Sequence, residues 1–102
     1  MNQYNIEYSK EAREDLIEIK QYNKYNLQES ETAQKLILKI RSEIDKLKDN
    51  PQIYAIIDDD FIKRFEVRKL IVENYIVFYR IKNIDIQIIR IMYGRRNWIN
   101  LL

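Results

Sequence analysis

Tyr4, Ile6 and Tyr8 alternate with Asn5, Glu7 and Ser9, a period of two that predicts a short opening strand with one buried face. Ser9 then stands as a helix N-cap, with Glu11, Glu14 and Asp15 favourably close to the positive end of the helix it starts. Ala12, Leu16, Ile19 and Tyr22 follow at helical spacing, and the polar, Asn-rich stretch 23–30 predicts an end near Leu27. Ser30 is a second candidate cap. After it Ala33, Leu36, Ile37, Ile40, Ile44 and Leu47 fall on one stripe, the strongest helical pattern in the chain. Asp49-Asn50-Pro51 ends that helix, because the residue before a proline is pushed out of the α region. The short polar joint makes the two helices antiparallel neighbours.

From Phe65 onward the pattern is β. Phe65–Val72, Tyr75–Ile81 and Ile86–Tyr93 are rich in β-branched and aromatic residues. Glu73-Asn74 and Asn83–Asp85 supply the turns between them. The last two strands are apolar on both faces. They are therefore expected in the centre of the sheet, covered by helices on one side and partly by the tail on the other. The architecture is α+β in the order β-α-α-β-β-β: one domain over residues 1–102, a helical hairpin on a small antiparallel sheet. The first strand can pair with the last strand or with the first strand of the meander; pattern leaves both open.

Composition narrows the chemistry. With 46% hydrophobic and 33% charged residues the chain is globular. It has neither Cys nor His, which removes disulfides, thiolates, the usual neutral-pH acid/base and the commonest metal ligand. General acid–base chemistry would fall to carboxylates, Lys or Tyr. No cofactor and no metal site are expected: Asp58-Asp59-Asp60 reads as a solvated acidic loop, since adjacent carboxylates do not converge on one ion without further ligands. Met1-Asn2-Gln3-Tyr4 lacks a basic segment followed by an apolar run, and the apolar runs are too short for a bilayer. A cytoplasmic protein with no membrane partner is the expectation.

The net charge of +2 hides an asymmetry. Residues 1–60 hold nine basic and thirteen acidic side chains; residues 61–102 hold nine basic and three acidic. A basic half suggests an anionic partner, against the alternative of a solvated charged surface. Arg80 and Arg90 sit in otherwise apolar strands and either line a groove or pair with Glu66 or a helix acid. Arg68 and Lys69 point to opposite faces of one strand, so only one can serve a given site. Gly94, the only glycine, follows the last strand, where it allows a left-handed turn or a close backbone approach. Arg95, Arg96 and Trp98 follow it. Guanidinium forks beside an aromatic make an oxyanion-binding corner, although Trp98 also reads as a cap on the core.

The segment from Arg68 to Arg80 and the closing Ile89-Arg90-Ile91-Met92-Tyr93-Gly94-Arg95-Arg96-Asn97-Trp98 resemble toxins of the RelE/ParE superfamily. The specific parts are Val77-Phe78-Tyr79-Arg80 and Tyr93-Gly94-Arg95-Arg96. The resemblance implies a growth-inhibiting toxin of a plasmid-stabilisation type module, held inactive by a cognate antitoxin. It also implies one of two activities: cleavage of mRNA on the ribosome, or poisoning of DNA gyrase. The nuclease branch typically keeps an arginine where this chain has Ile76, and a tyrosine past the glycine-basic turn where Trp98 to Leu102 has none. A related branch has a histidine where Tyr93 stands. A nuclease would have to use Arg96, Tyr93, Lys69 and Glu66. The pattern resembles the ParE branch more closely, which makes gyrase the expected target and the ribosome with its mRNA the alternative. Arg95, Arg96, Arg80, Arg90, Arg68, Lys69 and Trp98 are the candidate target-binding residues.

Overall fold

Ser9 sets where the first helix begins. Its Oγ accepts the N–H of Ala12 at 2.9 Å, and its carbonyl accepts that of Arg13 at 3.0 Å. This satisfies amide groups that a helix start otherwise leaves bare. Strand β1 (Asn5–Tyr8) therefore gives way at once to helix α1 (Lys10–Lys24). The computed structural model describes residues 4–24, 30–94 and 102. The expected helix end near Leu27, and the candidate residues Arg95, Arg96 and Trp98, lie outside them.

Helix α2 spans Ser30–Asp45. Its stripe buries Ala33, Ile40 and Ile44, and burying an Ile side chain contributes about 1.5–3 kcal/mol. The apolar pattern runs on to Leu47, but the α-helix does not: a 3₁₀ turn over Lys46–Lys48 carries that residue into the core. Pro51 lies just beyond.

Strands β2 (Arg68–Val72), β3 (Tyr75–Lys82) and β4 (Asp85–Tyr93) form the expected meander. Two boundaries differ from expectation. The β2 strand starts at Arg68, not Phe65, because Lys63–Phe65 close a 3₁₀ turn that Glu66 ends in the left-handed region (φ 56°). The second turn is Asn83-Ile84, leaving Asp85 as the first residue of β4. Each hairpin turn puts its first residue in the left-handed region, Glu73 at φ 54° and Asn83 at φ 58°.

The sheet order is β1-β4-β3-β2, with β3 and β4 central as their two apolar faces predict. β1 joins β4 in parallel, Ile6 beside Ile86 and Tyr8 beside Ile88. The sheet is thus mixed and not wholly antiparallel. β1 and β4 are joined through both helices, the connector after α2 and the other two strands, the long crossover that a parallel pair requires. A bulge places Phe78 opposite Arg90 but Tyr79 opposite Ile88.

The helices cover one face of the sheet, where Leu70, Val72, Val77, Tyr79, Ile86 and Ile91 meet Ala12, Ile40 and Ile44. The other face holds a smaller cluster of Val67, Ile76, Phe78 and Met92, partly covered by Ile57 and the C-terminal Leu102. On the helix side, Tyr79 ties the sheet to the connector after α2: its hydroxyl donates to the Pro51 carbonyl at 2.8 Å.

Burial pushes the Tyr79 phenol up to about 12 from an ordinary 10.0. The folded chain thus holds this proton more tightly than the unfolded chain. The resulting stability is fully present below pH 10 and is lost as pH rises toward 12. Tyr79→Phe should cost about 1 kcal/mol at neutral pH. It should also flatten the fall in stability across that alkaline window, read from urea unfolding at stepped pH. An unchanged alkaline slope would contradict this role.

Candidate functional site

The free edge of β4 is the chemically richest place among the described residues. β1 is four residues long and β4 nine, so β1 can pair only Asp85 to Ile88. Past that point α1 stands in for a strand. The Ser9 N–H donates to the Ile88 carbonyl at 3.0 Å, and its Oγ–H donates to that of Ile89 at 2.7 Å. One turn and a half further along, Asp15 accepts the Ile91 N–H at 2.9 Å. The same carboxylate takes a two-pronged guanidinium contact from Arg90, 2.8 Å from Nε and 3.0 Å from Nη2. Asp15 is the one buried charged residue among those described. The Asp15 hydrogen bond, with Glu11 and Glu18 nearby, raises the pKa of Arg90 still further.

Arg90 therefore takes the helix-acid pairing that the sequence left open beside a groove. It also borders one. A groove of about 490 Å³ is lined by Arg80, Gln87, Arg90, Glu7, Glu11 and Leu102, among others. Cross-strand pairing puts Glu7, Gln87 and Arg80 in one row on the face away from the helices. Arg80 makes no ion pair among the described residues. The groove thus brings two predicted cations together, but between two glutamates, which makes its charge mixed.

The remaining candidates disperse. Arg68 braces the connector: its Nη1 donates to the Tyr54 carbonyl and approaches that of Gln52 at 3.4 Å. Lys69 projects to the opposite face, beside a separate groove of about 590 Å³ that Asp58, Asp59 and Ile71 also line. Asp59 Oδ1 accepts the Phe61 N–H at 2.8 Å, and Asp60 pairs with Lys63 at 3.3 Å, so the acidic loop is occupied by its own turn. Glu66 is exposed at the end of the 3₁₀ turn.

Tyr93 pairs with Tyr75 across the sheet, their rings edge-on with centroids 5.7 Å apart. Tyr75 in turn pairs with Val72, which belongs to the helix-side core. Lys69 pairs with Phe78, which belongs to the other cluster. Lys69 and Tyr93 therefore stand on opposite faces of the sheet. Gly94 does not need its conformational freedom for a left-handed turn, since no glycine here has positive φ. It donates to the Asn74 carbonyl at 2.8 Å, and a Cβ at that position would meet the same oxygen at 3.3 Å. Close approach is what it provides.

Sequence reasoning missed Ser9 as a strand clamp and Asp15 as its partner. A signal for Asp15 did exist: it falls inside the stripe Ala12, Leu16, Ile19, on the face that goes into the core. A charge there calls for a buried partner.

The family model for the ParE toxin of type II toxin–antitoxin systems, parDE, matches residues 6–98. Among solved structures, the chain resembles a chain of the chromosomal ParDE toxin–antitoxin system from P. aeruginosa. The TM-score is 0.73 and the identity 22%, over 91% of this chain and 98% of that one. This is a likeness of fold. No curated protein matches. No helix among the described residues is long and apolar enough to cross a membrane.

Asp15→Ala should destabilise the chain by about 3 kcal/mol, since it strands both a guanidinium and a buried N–H. Asp15→Asn keeps an acceptor for Ile91 and should lose about half as much. Urea denaturation measures both. A loss under 0.5 kcal/mol for the alanine variant would remove Asp15 from this role.

Proposed function

The chain belongs to the ParE toxin family of type II toxin–antitoxin systems, and we propose that it arrests growth by binding DNA gyrase, not by cleaving RNA. The toxin acts in the cytoplasm and is held inactive by a cognate antitoxin, in a module of the plasmid-stabilisation type.

The observation that carries the binding reading is the separation of Lys69 from Tyr93 by the sheet itself. A nuclease must hold an activating group, a proton donor and a charge stabiliser within hydrogen-bond reach of one phosphodiester. Of the four candidate groups, the described three do not gather: Lys69 and Tyr93 face opposite ways, and Glu66 lies on an exposed turn. Binding asks less. A surface that recognises a large partner needs complementary charge and shape over a broad area. Arg80 meets that need on the sheet face away from the helices, as Arg95 and Arg96 do in the sequence. Family membership in the ParE branch supports the same choice of target.

Purified protein added to gyrase and relaxed plasmid should block supercoiling or trap cleaved DNA, while ribosome-bound mRNA stays intact. Normal supercoiling together with cut mRNA would overturn the proposal and establish the endonuclease alternative. Arg80→Gln should weaken gyrase inhibition about tenfold, the loss of roughly 1.4 kcal/mol of contact energy, with its melting temperature unchanged. Arg96→Ala should weaken toxicity likewise. Full inhibition by both variants would exclude these arginines from the interface.

A further inference from the structure

Large hydrophobic side chains are unevenly exposed over this molecule. Of the nine that are exposed among the described residues, five fall between Ile53 and Ile71: Ile53, Ile56, Phe61, Phe65 and Ile71. They lie on the connector after α2 and on β2, the strand at the far end of the sheet from β1. Exposed apolar side chains gathered in one place mark an interaction surface. The groove of about 590 Å³ holds part of this patch: Ile56, Ile57 and Ile71 line it together with Asp58 and Lys69. Ile71 pairs with Ile76 and Lys69 with Phe78, both of the outer cluster, so both side chains stand on the face away from the helices.

The charges of the groove are separated and unmatched. Asp58 and Lys69 are both exposed, and neither makes an ion pair among the described residues. The antiparallel bridge of Ile56 to Arg68 sets Ala55 beside Lys69. Asp58 therefore lies three residues further along the connector, at most about 10 Å away. One end of the groove is acidic, the other basic, and the middle apolar.

We propose that this face pairs two copies of the chain about a two-fold axis, Asp58 of each copy meeting Lys69 of the other across the apolar middle. An isologous interface must be self-complementary, and an apolar centre between charges of opposite sign meets that condition. Other occupants match only half of it. A nucleic acid or an acidic surface is repelled by Asp58 and Asp59, and a wholly basic surface by Lys69. The contact is made by side chains and not by strand addition, because the connector already closes the start of β2: the Ile57 N–H donates to the Val67 carbonyl at 2.8 Å. The groove has eight lining residues, against about 20–30 a side in a standard interface. The dimer is accordingly weak, with a dissociation constant between roughly 1 µM and 1 mM.

Sedimentation equilibrium of the full chain over a concentration series tests this, and it needs no gyrase, so it stands or falls apart from the target reading. The parent should pass from monomer to dimer. Lys69→Asp makes both ends of the groove acidic and Asp58→Lys makes both basic, so each should weaken self-association at least tenfold. An equimolar mixture of the two should associate at least as tightly as the parent, and the Asp58→Lys/Lys69→Asp double variant should regain the parent's affinity within about threefold. Ile71→Thr, at a side chain already 63% exposed, should weaken the dimer about tenfold. On the ¹⁵N-labelled parent, dilution should move the Asp58, Lys69 and Ile71 amide resonances and leave those of α1 in place. A parent that stays monomeric at about 1 mM, charge variants that dimerise as it does, a mixture that does not associate, or dilution shifts confined to α1 would each overturn the inference.

Discussion

One carboxylate settles how the two halves of this molecule fit together. A strand of nine residues lies beside one of four, so more than half of a central strand would present bare backbone to the helices. Asp15 meets that deficit. It accepts the Ile91 N–H and the Arg90 guanidinium together, and with the Ser9 hydroxyl it makes the first half of α1 act as a substitute strand. A buried charge is costly unless every lone pair finds a donor. Here the donors are fixed by the β4 ladder, so α1 has one position along the strand at which its carboxylate is satisfied. Apolar contacts alone would tolerate sliding; this pair does not.

Much of the architecture follows from local pattern. The α2 stripe from Ala33 to Leu47 and the paired apolar faces of β3 and β4 from Tyr75 to Tyr93 are each specified by a short continuous segment, and the structure bears out both. The mixed sheet was not legible, because the pairing of β1 depends on backbone bonds to residues about eighty positions away. Phe65 looks like a strand residue but belongs to a turn, since Glu66 adopts a left-handed conformation that β propensity does not register. Arg68 looked free to bind a partner. Its actual partners are connector carbonyls, which carry no side-chain signature.

The same geometry bears on mechanism. The family resemblance offered Glu66, Lys69, Tyr93 and Arg96 as the groups a nuclease would have to use. Proximity in sequence does not survive the alternation of strands: cross-strand rows send Lys69 and Tyr93 to opposite faces. What the fold does bring together is Arg80, Gln87 and Arg90 with Glu7 and Glu11, lining one groove of mixed charge.

The claim that this toxin binds and does not cut is tested most directly by removing the tyrosine and the carboxylate of the nuclease set while leaving its cationic side chains in place. A Tyr93→Phe/Glu66→Gln double variant keeps the ring contact with Tyr75 and discards both the phenol and the carboxylate. Expressed at the level of the parent chain, it should arrest growth as strongly as the parent. Loss of growth arrest in a variant that still folds and melts like the parent would contradict the account.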